Sequence, residues 1–236
     1  MKIPALILAV GMMASAVIGS VAYYQGKTLG DTLEVTGSAR RQIVSDRAKW
    51  SAEWDRDVTV TTLKDGYRLM ADDEKKVRAF FASHGVKDSA IEVAPVSMDQ
   101  DYTYNQQDPS VPKRFILRQT VELRSDDVAA VTALSKQVNA LIDQGVVFSS
   151  KGVEYTYSDL PTLRVSLLGE AVKDAEARTE AIAGKGNVGP MRSATVGVVQ
   201  VVPVGSTDVS DYGAYDTSKI DKEVMVTVRA AFSMRK

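Results

Sequence analysis

A stretch of 22 residues without a single charge, Ile3 to Tyr24 (IPALILAVGMMASAVIGSVAYY), opens the chain. It constrains the fold more than any other feature, because it decides which solvent that part of the chain can tolerate. About 20 apolar residues in a helix span the ~30 Å of a bilayer's hydrocarbon core. Only Met1 and Lys2 precede the run, and Gln25, Gly26 and Lys27 lead into a polar, strand-rich body. Two readings fit. A secretory signal has a basic start, an apolar core of about 7–15 residues and small residues before the cut. Lys2 supplies the start, and Ala14-Ser15-Ala16 or Ser20-Val21-Ala22 supplies the site. An uncleaved anchor accounts for the greater length, with Tyr23 and Tyr24 as interfacial aromatics. Either way Lys2 stays inside and the body faces outward. We expect residues 1–26 to be a membrane anchor or signal segment, with the membrane crossed through residues 3–24, and residues 27–236 to be the body. Gly11, Ser15 and Gly19 recur every four residues, which suits close helix pairing, although composition alone gives the same pattern.

The body's composition removes several chemistries. Of 236 residues 44% are hydrophobic and 25% charged, enough for one large core or two small ones. The net charge of −1, without a clustered basic stretch, argues against nucleic acid as a partner. With no cysteine there are no disulfides, thiolate nucleophiles, iron–sulfur clusters or cysteine zinc sites. An exported chain of this kind depends on its core or on oligomerisation for stability.

Periodicity predicts alternating strands and helices. Thr32 to Ala39 reads as a strand with Gly37 at a bulge, and Ile43 to Val60 as one long strand whose Trp50 and Trp54 share a face. A helix runs from about Thr61 to His84, striped by Leu63, Tyr67, Leu69, Met70, Val77, Phe80 and Phe81 and stopped by Gly85. An extended stretch, Ile91 to Tyr104, and a loop lead to the clearly alternating Arg114 to Leu123. Ser125-Asp126-Asp127 caps a helix through Val128, Val131, Leu134, Val138, Leu141 and Ile142. Then come a strand at Val153 to Tyr157, a long helix from Asp159 and a strand from Met191 to Val202, predicted to be buried. The last strand runs from Val224 to Phe232. The fold class is α+β: two strand–helix–strand passages, antiparallel or mixed sheet, long helices on one face, and the N-terminal apolar transmembrane helix.

Four groups of residues tempt a chemical reading. Gly184-Lys185-Gly186-Asn187-Val188-Gly189 satisfies G-x-G-x-x-G, but it follows a helix and opens a strand, the reverse of a dinucleotide loop. His84 is the only histidine, so it builds no multi-histidine metal site, and neighbouring Ser83 stands in no nucleophile elbow. Asp55 and Asp57 beside Trp54 could serve a carboxylate-based hydrolase, since two acids at about 5–9 Å can cleave a glycoside. A strand exposing alternate charges beside buried tryptophans gives the same pattern. Asp99–Asp108 and Asp208–Asp221 are acidic, tyrosine-rich loops without calcium-loop spacing, suited to solvation or protein contact.

Some residues carry a family resemblance through their order along the chain. They are Val35-Thr36-Gly37, then Ala171, Asp174, Ala175, Glu180, Ala181 and Ala183, then Gly184 to Gly189, and finally Val224 to Phe232. The chain from about Leu33 to Met234 resembles the SIMPL-domain family of exported bacterial proteins. Thr179 departs from the pattern, which favours alanine there. Members of that family are typically periplasmic or envelope proteins of unknown biochemical activity. Some of them assemble into large rings or shells and some are linked to stress tolerance. The resemblance implies no catalytic, cofactor or metal residues, so none is assigned. The expected role is a non-enzymatic, self-assembling homo-oligomer at the periplasmic face of the bacterial inner membrane, or free in the periplasm after cleavage. The alternatives are a small-ligand or polymer-binding module and the carboxylate-based hydrolase.

Overall fold

The computed structural model describes residues 3–28, 32–101, 112–207 and 210–235. Helix α1 covers Ile3–Thr28, with side chains described from Gly11 to Tyr23, where every residue is exposed. Among the described residues no helix is long and apolar enough to cross a membrane, so the structure gives the expected transmembrane helix no support.

The body is built from two five-stranded sheets. Sheet I takes its strands from the two ends of the chain: β1 (Thr32–Val44), β7 (Val188–Val196), β8 (Gln200–Pro203), β9 (Ala214–Tyr215) and β10 (Asp221–Met234). Sheet II comes from the middle: β2 (Arg47–Thr59), β3 (Ile91–Val93), β4 (Ser97–Gln100), β5 (Arg114–Ser125) and β6 (Phe148–Thr156). The pairings are antiparallel except β8 with β9. The expected α+β class holds, with the middle of the chain inserted as a second sheet. The predicted single strand over 43–60 does not form. Ser45-Asp46 ends β1 and starts β2 in the other sheet, held by Ser45 N–H to Ile220 O (2.9 Å) and Asp46 N–H to Thr156 O (3.1 Å).

Sheet II folds because β2 and β5 alternate strictly. Ala48, Trp50, Ala52, Trp54 and Val58 point inward against Leu117, Val121 and Leu123, and charged residues alternate with them on the outer face. Helix α2 (Leu63–Ser83) covers that core with Met70, Val77, Phe80 and Phe81. Tyr67 and Leu69, expected in its stripe, are exposed. Trp50, Phe81, Phe148 and Trp54 form a chain of ring contacts with centroids 5.5–6.4 Å apart. The helix predicted over 128–142 is broken into α3 (Val128–Leu134) and α4 (Asn139–Ile142). Between them Lys136 and Gln137 bond three residues back instead of four. Asp127 caps α3 as expected, its Oδ1 accepting the Ala130 N–H at 2.9 Å.

Sheet I is covered by one helix, α5 (Leu160–Ala183), which crosses β1 and β10 and barely reaches β7. Its Ala171 and Ala175 lie directly on Gly37, where a Cβ would overlap the Ala171 carbonyl oxygen and the Ala175 nitrogen. Gly37 pairs regularly with Val228, so it serves close helix approach and no bulge forms there. The strand predicted over 191–202 divides at Gly197. Only its second part, β8, is buried; β7 is exposed from Pro190 to Val196.

Candidate functional site

The residues singled out by sequence are dispersed. Trp54 lies in the core, whereas Asp55 and Asp57 face away from the helices, so the aromatic and the acids of the hydrolase reading sit on opposite sides of sheet II. Asp57 pairs with Arg114 at 2.5 Å. Burial raises the Asp55 carboxyl above the ordinary aspartate value, with Asp57 and Glu53 adding to the rise and Arg118 opposing it. Around them Arg118 meets Glu53 and Asp99 (both 3.7 Å) and Lys151 meets Glu53 (2.6 Å), a mutually neutralised lattice on a solvated face. Among the described residues no three His, Asp or Glu side chains gather as a metal cluster.

The glycine-rich segment follows α5 and enters β7. Gly184 and Gly186 take positive φ (87° and 97°), and Asn187 Nδ2 donates to the Ala183 carbonyl at 2.8 Å, closing the helix. Of the two tyrosine-rich loops, residues 102–108 and 208–209 lie outside the described residues. In the second loop Asp216 accepts the Ser218 and Lys219 amides (both 3.0 Å), and Tyr155 N–H reaches Thr217 O at 2.7 Å. This loop shields Lys222, which is fully buried; its ammonium donates to the Tyr155 carbonyl and lies 5.4 Å from the Tyr215 ring centroid. Burial lowers the Lys222 pKa and the nearby Asp216 opposes that shift. Nothing in the sequence pattern singles Lys222 out.

Two surface features remain. The first is a cleft of about 520 Å³ where the end of α2 meets α3, lined by His84, Val86, Lys87, Ala90 and Leu123 on one side. Ser125, Asp127, Ala130, Val131, Leu134 and Gln137 line the other. Gly85, at φ 78°, turns the chain out of α2 and brings Val86 and Lys87 around the rim. His84 Nδ1 lies 2.8 Å from the Phe80 carbonyl, so that nitrogen carries a proton, and Nε2 lies 2.9 Å from Gln137 Oε1. His84 thus ties the end of α2 to the turn between α3 and α4, a role set by a partner 53 residues away.

The second feature is the free edge of β7. Val196, Ala194 and Met191 pair with buried Val228, Ala230 and Phe232, so they belong to the helix-covered face. Because α5 stops short, Val196 stays 55% and Met191 45% exposed. Arg192 is the strand's only charge.

Two antiparallel-dominated sheets, each roofed by helices on one face, define an α+β protein. Residues 33–232 match the SIMPL family, described as proteins of unknown function (DUF541), and the chain belongs to it. No curated protein matches the sequence. The residues of the resemblance prove to be a packing unit: Gly37 under Ala171 and Ala175, Asp174 Oδ2 accepting the Ser38 N–H (2.7 Å), and Arg178 reaching Thr36 O (3.3 Å). Thr179, the departure from the pattern, is buried and satisfied by donating to Ala175 O at 2.7 Å.

Proposed function

We propose that the chain is a non-enzymatic subunit that self-assembles into a large homo-oligomer, a ring or shell, at the periplasmic face of the inner membrane. In this reading α1 is the tether and the assembly serves envelope stress tolerance. The observation that supports it is the uncovered β7. Its second half, residues 193–196, pairs in regular register with β10, carries no charge and exposes Ala194 and Val196, which makes it an open template for strand pairing. The opposite edge, β1, is guarded by Glu34, Arg40 and Arg41. A second copy is the simplest cover, since repetition of one subunit meets the same edge on every copy. Tethering adds to this by confining subunits to one plane and one orientation, which raises their effective concentration.

Light scattering on the detergent-extracted full-length chain tests the reading, with detergent mass subtracted. One discrete species of many subunits is expected. It should dissociate in the double variant Ala194→Lys with Val196→Lys, because edge lysines oppose strand addition. A wild-type monomer of 25.6 kDa would overturn it. A second role, compatible with the first, is that of a small-ligand module; the cleft beside His84 favours it, with a volume inside the usual ~300–1,000 Å³ of ligand sites.

A further inference from the structure

We infer that the cleft beside His84 takes a small organic anion: a carboxylate, or a group of like charge, on a compact apolar body. This rests on the small-ligand role and names its ligand class. The floor is apolar, made by Leu123, Val131 and Leu134, each nearly fully buried, with Val86 and Ala90 partly buried beside them. Such a floor binds hydrocarbon and gives no polarity to a ligand's far end.

The rim decides the head group. Its one acid, Asp127, is committed, since Oδ1 accepts the Ala130 N–H at 2.9 Å as the cap of α3. Next to the rim, Asp88 is held by Arg78 at 2.6 Å. His84 already has a partner at each nitrogen: the Phe80 carbonyl at Nδ1 and Gln137 at Nε2. Lys87 remains. Among the described residues its ammonium has no ion-pair or hydrogen-bond partner, and it stands exposed at the mouth. Asp127 keeps its charge on the helix cap, and the charged group of the rim left without a partner among the described residues is Lys87. A cationic ligand would be repelled by Lys87 and leave it unpaired, and a neutral one would leave the strongest donor of the rim unused. An anion satisfies it through a charge-assisted hydrogen bond.

Three ligands sharing one apolar body test this by calorimetric titration of the full-length chain: 4-phenylbutyrate, 4-phenylbutanol and 4-phenylbutylamine, each with a detergent-only titration subtracted. The carboxylate is expected to bind saturably and at least tenfold more tightly than the amine. Lys87→Glu should weaken it about tenfold or more, the scale of one lost hydrogen bond to a charged group. Ala130→Trp, which fills the cleft from the exposed side of α3, should abolish it; unchanged melting temperatures show that both variants fold. Saturable binding of all three with equal affinity would overturn the anion class and leave the small-ligand role standing. Absence of binding by any of them at millimolar concentration would overturn both. Binding that survives Ala130→Trp places the ligand elsewhere and overturns the site. Loss of oligomer mass in Ala130→Trp without any ligand binding would show that a neighbouring copy fills the cleft, which also overturns it.

Discussion

The two sheets have the same number of strands and helices on one face, yet they are finished differently. Sheet II is roofed by α2, α3 and α4, and two tryptophans and three phenylalanines fill the space beneath. Sheet I has one long helix whose Leu160, Leu163 and Leu167 pack on Ile43, Val201, Val224 and Val226 and whose face then narrows to Ala171, Ala175 and Thr179, so that there it presses onto Gly37 and stops short of β7. Large side chains hold a helix away from a sheet and let it shelter several strands. Small ones draw it close and leave the third strand bare. The exposed β7 thus follows from the choice of alanine and glycine at the helix–strand crossing.

If that contrast is right, truncation should hurt sheet II more. Trp54→Ala removes a fully buried indole, and the expected loss is about 3–5 kcal/mol in denaturant unfolding. Phe232→Ala in sheet I should cost less, below about 3 kcal/mol, because its neighbour Met191 is half exposed and can move to fill the space. Equal losses would break the comparison. Next in size is Gly37→Ala, a single methyl group that should cost about 1–3 kcal/mol because it meets helix backbone and not a flexible side chain. A loss under about 0.5 kcal/mol would mean that α5 is free to lift, and the close crossing would lose its role in exposing β7.

Much of this contrast was legible in the sequence. The alternation of Arg114 to Leu123, the shared face of Trp50 and Trp54, the Asp127 cap and the Gly85 stop all rest on local periodicity or chain-end chemistry, and all formed. The passage from sheet I to sheet II at Ser45-Asp46 was not legible. Its polar–apolar alternation continues without glycine or proline, and what turns the chain is a pair of backbone bonds to Ile220 and Thr156, far away in sequence. The exposure of β7 was equally hidden, because an apolar strand reads as buried whether or not a helix arrives to cover it. The cleft escapes sequence reading for another reason: its residues come from two separated segments, 84–90 and 123–137, and none has an unusual chemistry until the others are beside it.

The junction of the sheets offers a smaller effect with a distinct signature. Burial lowers the Lys222 pKa, so between its folded value and the unfolded one near 10.5 the unfolded chain holds the extra proton. Stability should therefore rise with pH through that alkaline window. Lys222→Met should remove the rise while changing stability at pH 7 by only about 1–2 kcal/mol, since relief of the buried charge opposes loss of the bond to the Tyr155 carbonyl. A variant that keeps the wild-type alkaline slope would show that another group titrates.

The smallest expected effect bears on how α5 is registered on β1. Asp174 accepts the Ser38 amide at 2.7 Å and Arg178 at 2.9 Å, and the Ser38 hydrogen bond foremost holds its carboxyl below the ordinary aspartate value. A depressed folded pKa gives stability that is fully present above the unfolded value near 3.8 and is lost as pH falls through the folded one. Asp174→Asn should thus cost under about 1 kcal/mol at pH 7, an exposed-pair magnitude, and the difference from wild type should vanish under acid conditions. A difference that persists at pH 2 would mean that Asp174 acts through shape and not through charge. Registration of α5 would then rest on the Gly37 contact alone, and sheet I would differ from sheet II only in how closely its helix is packed.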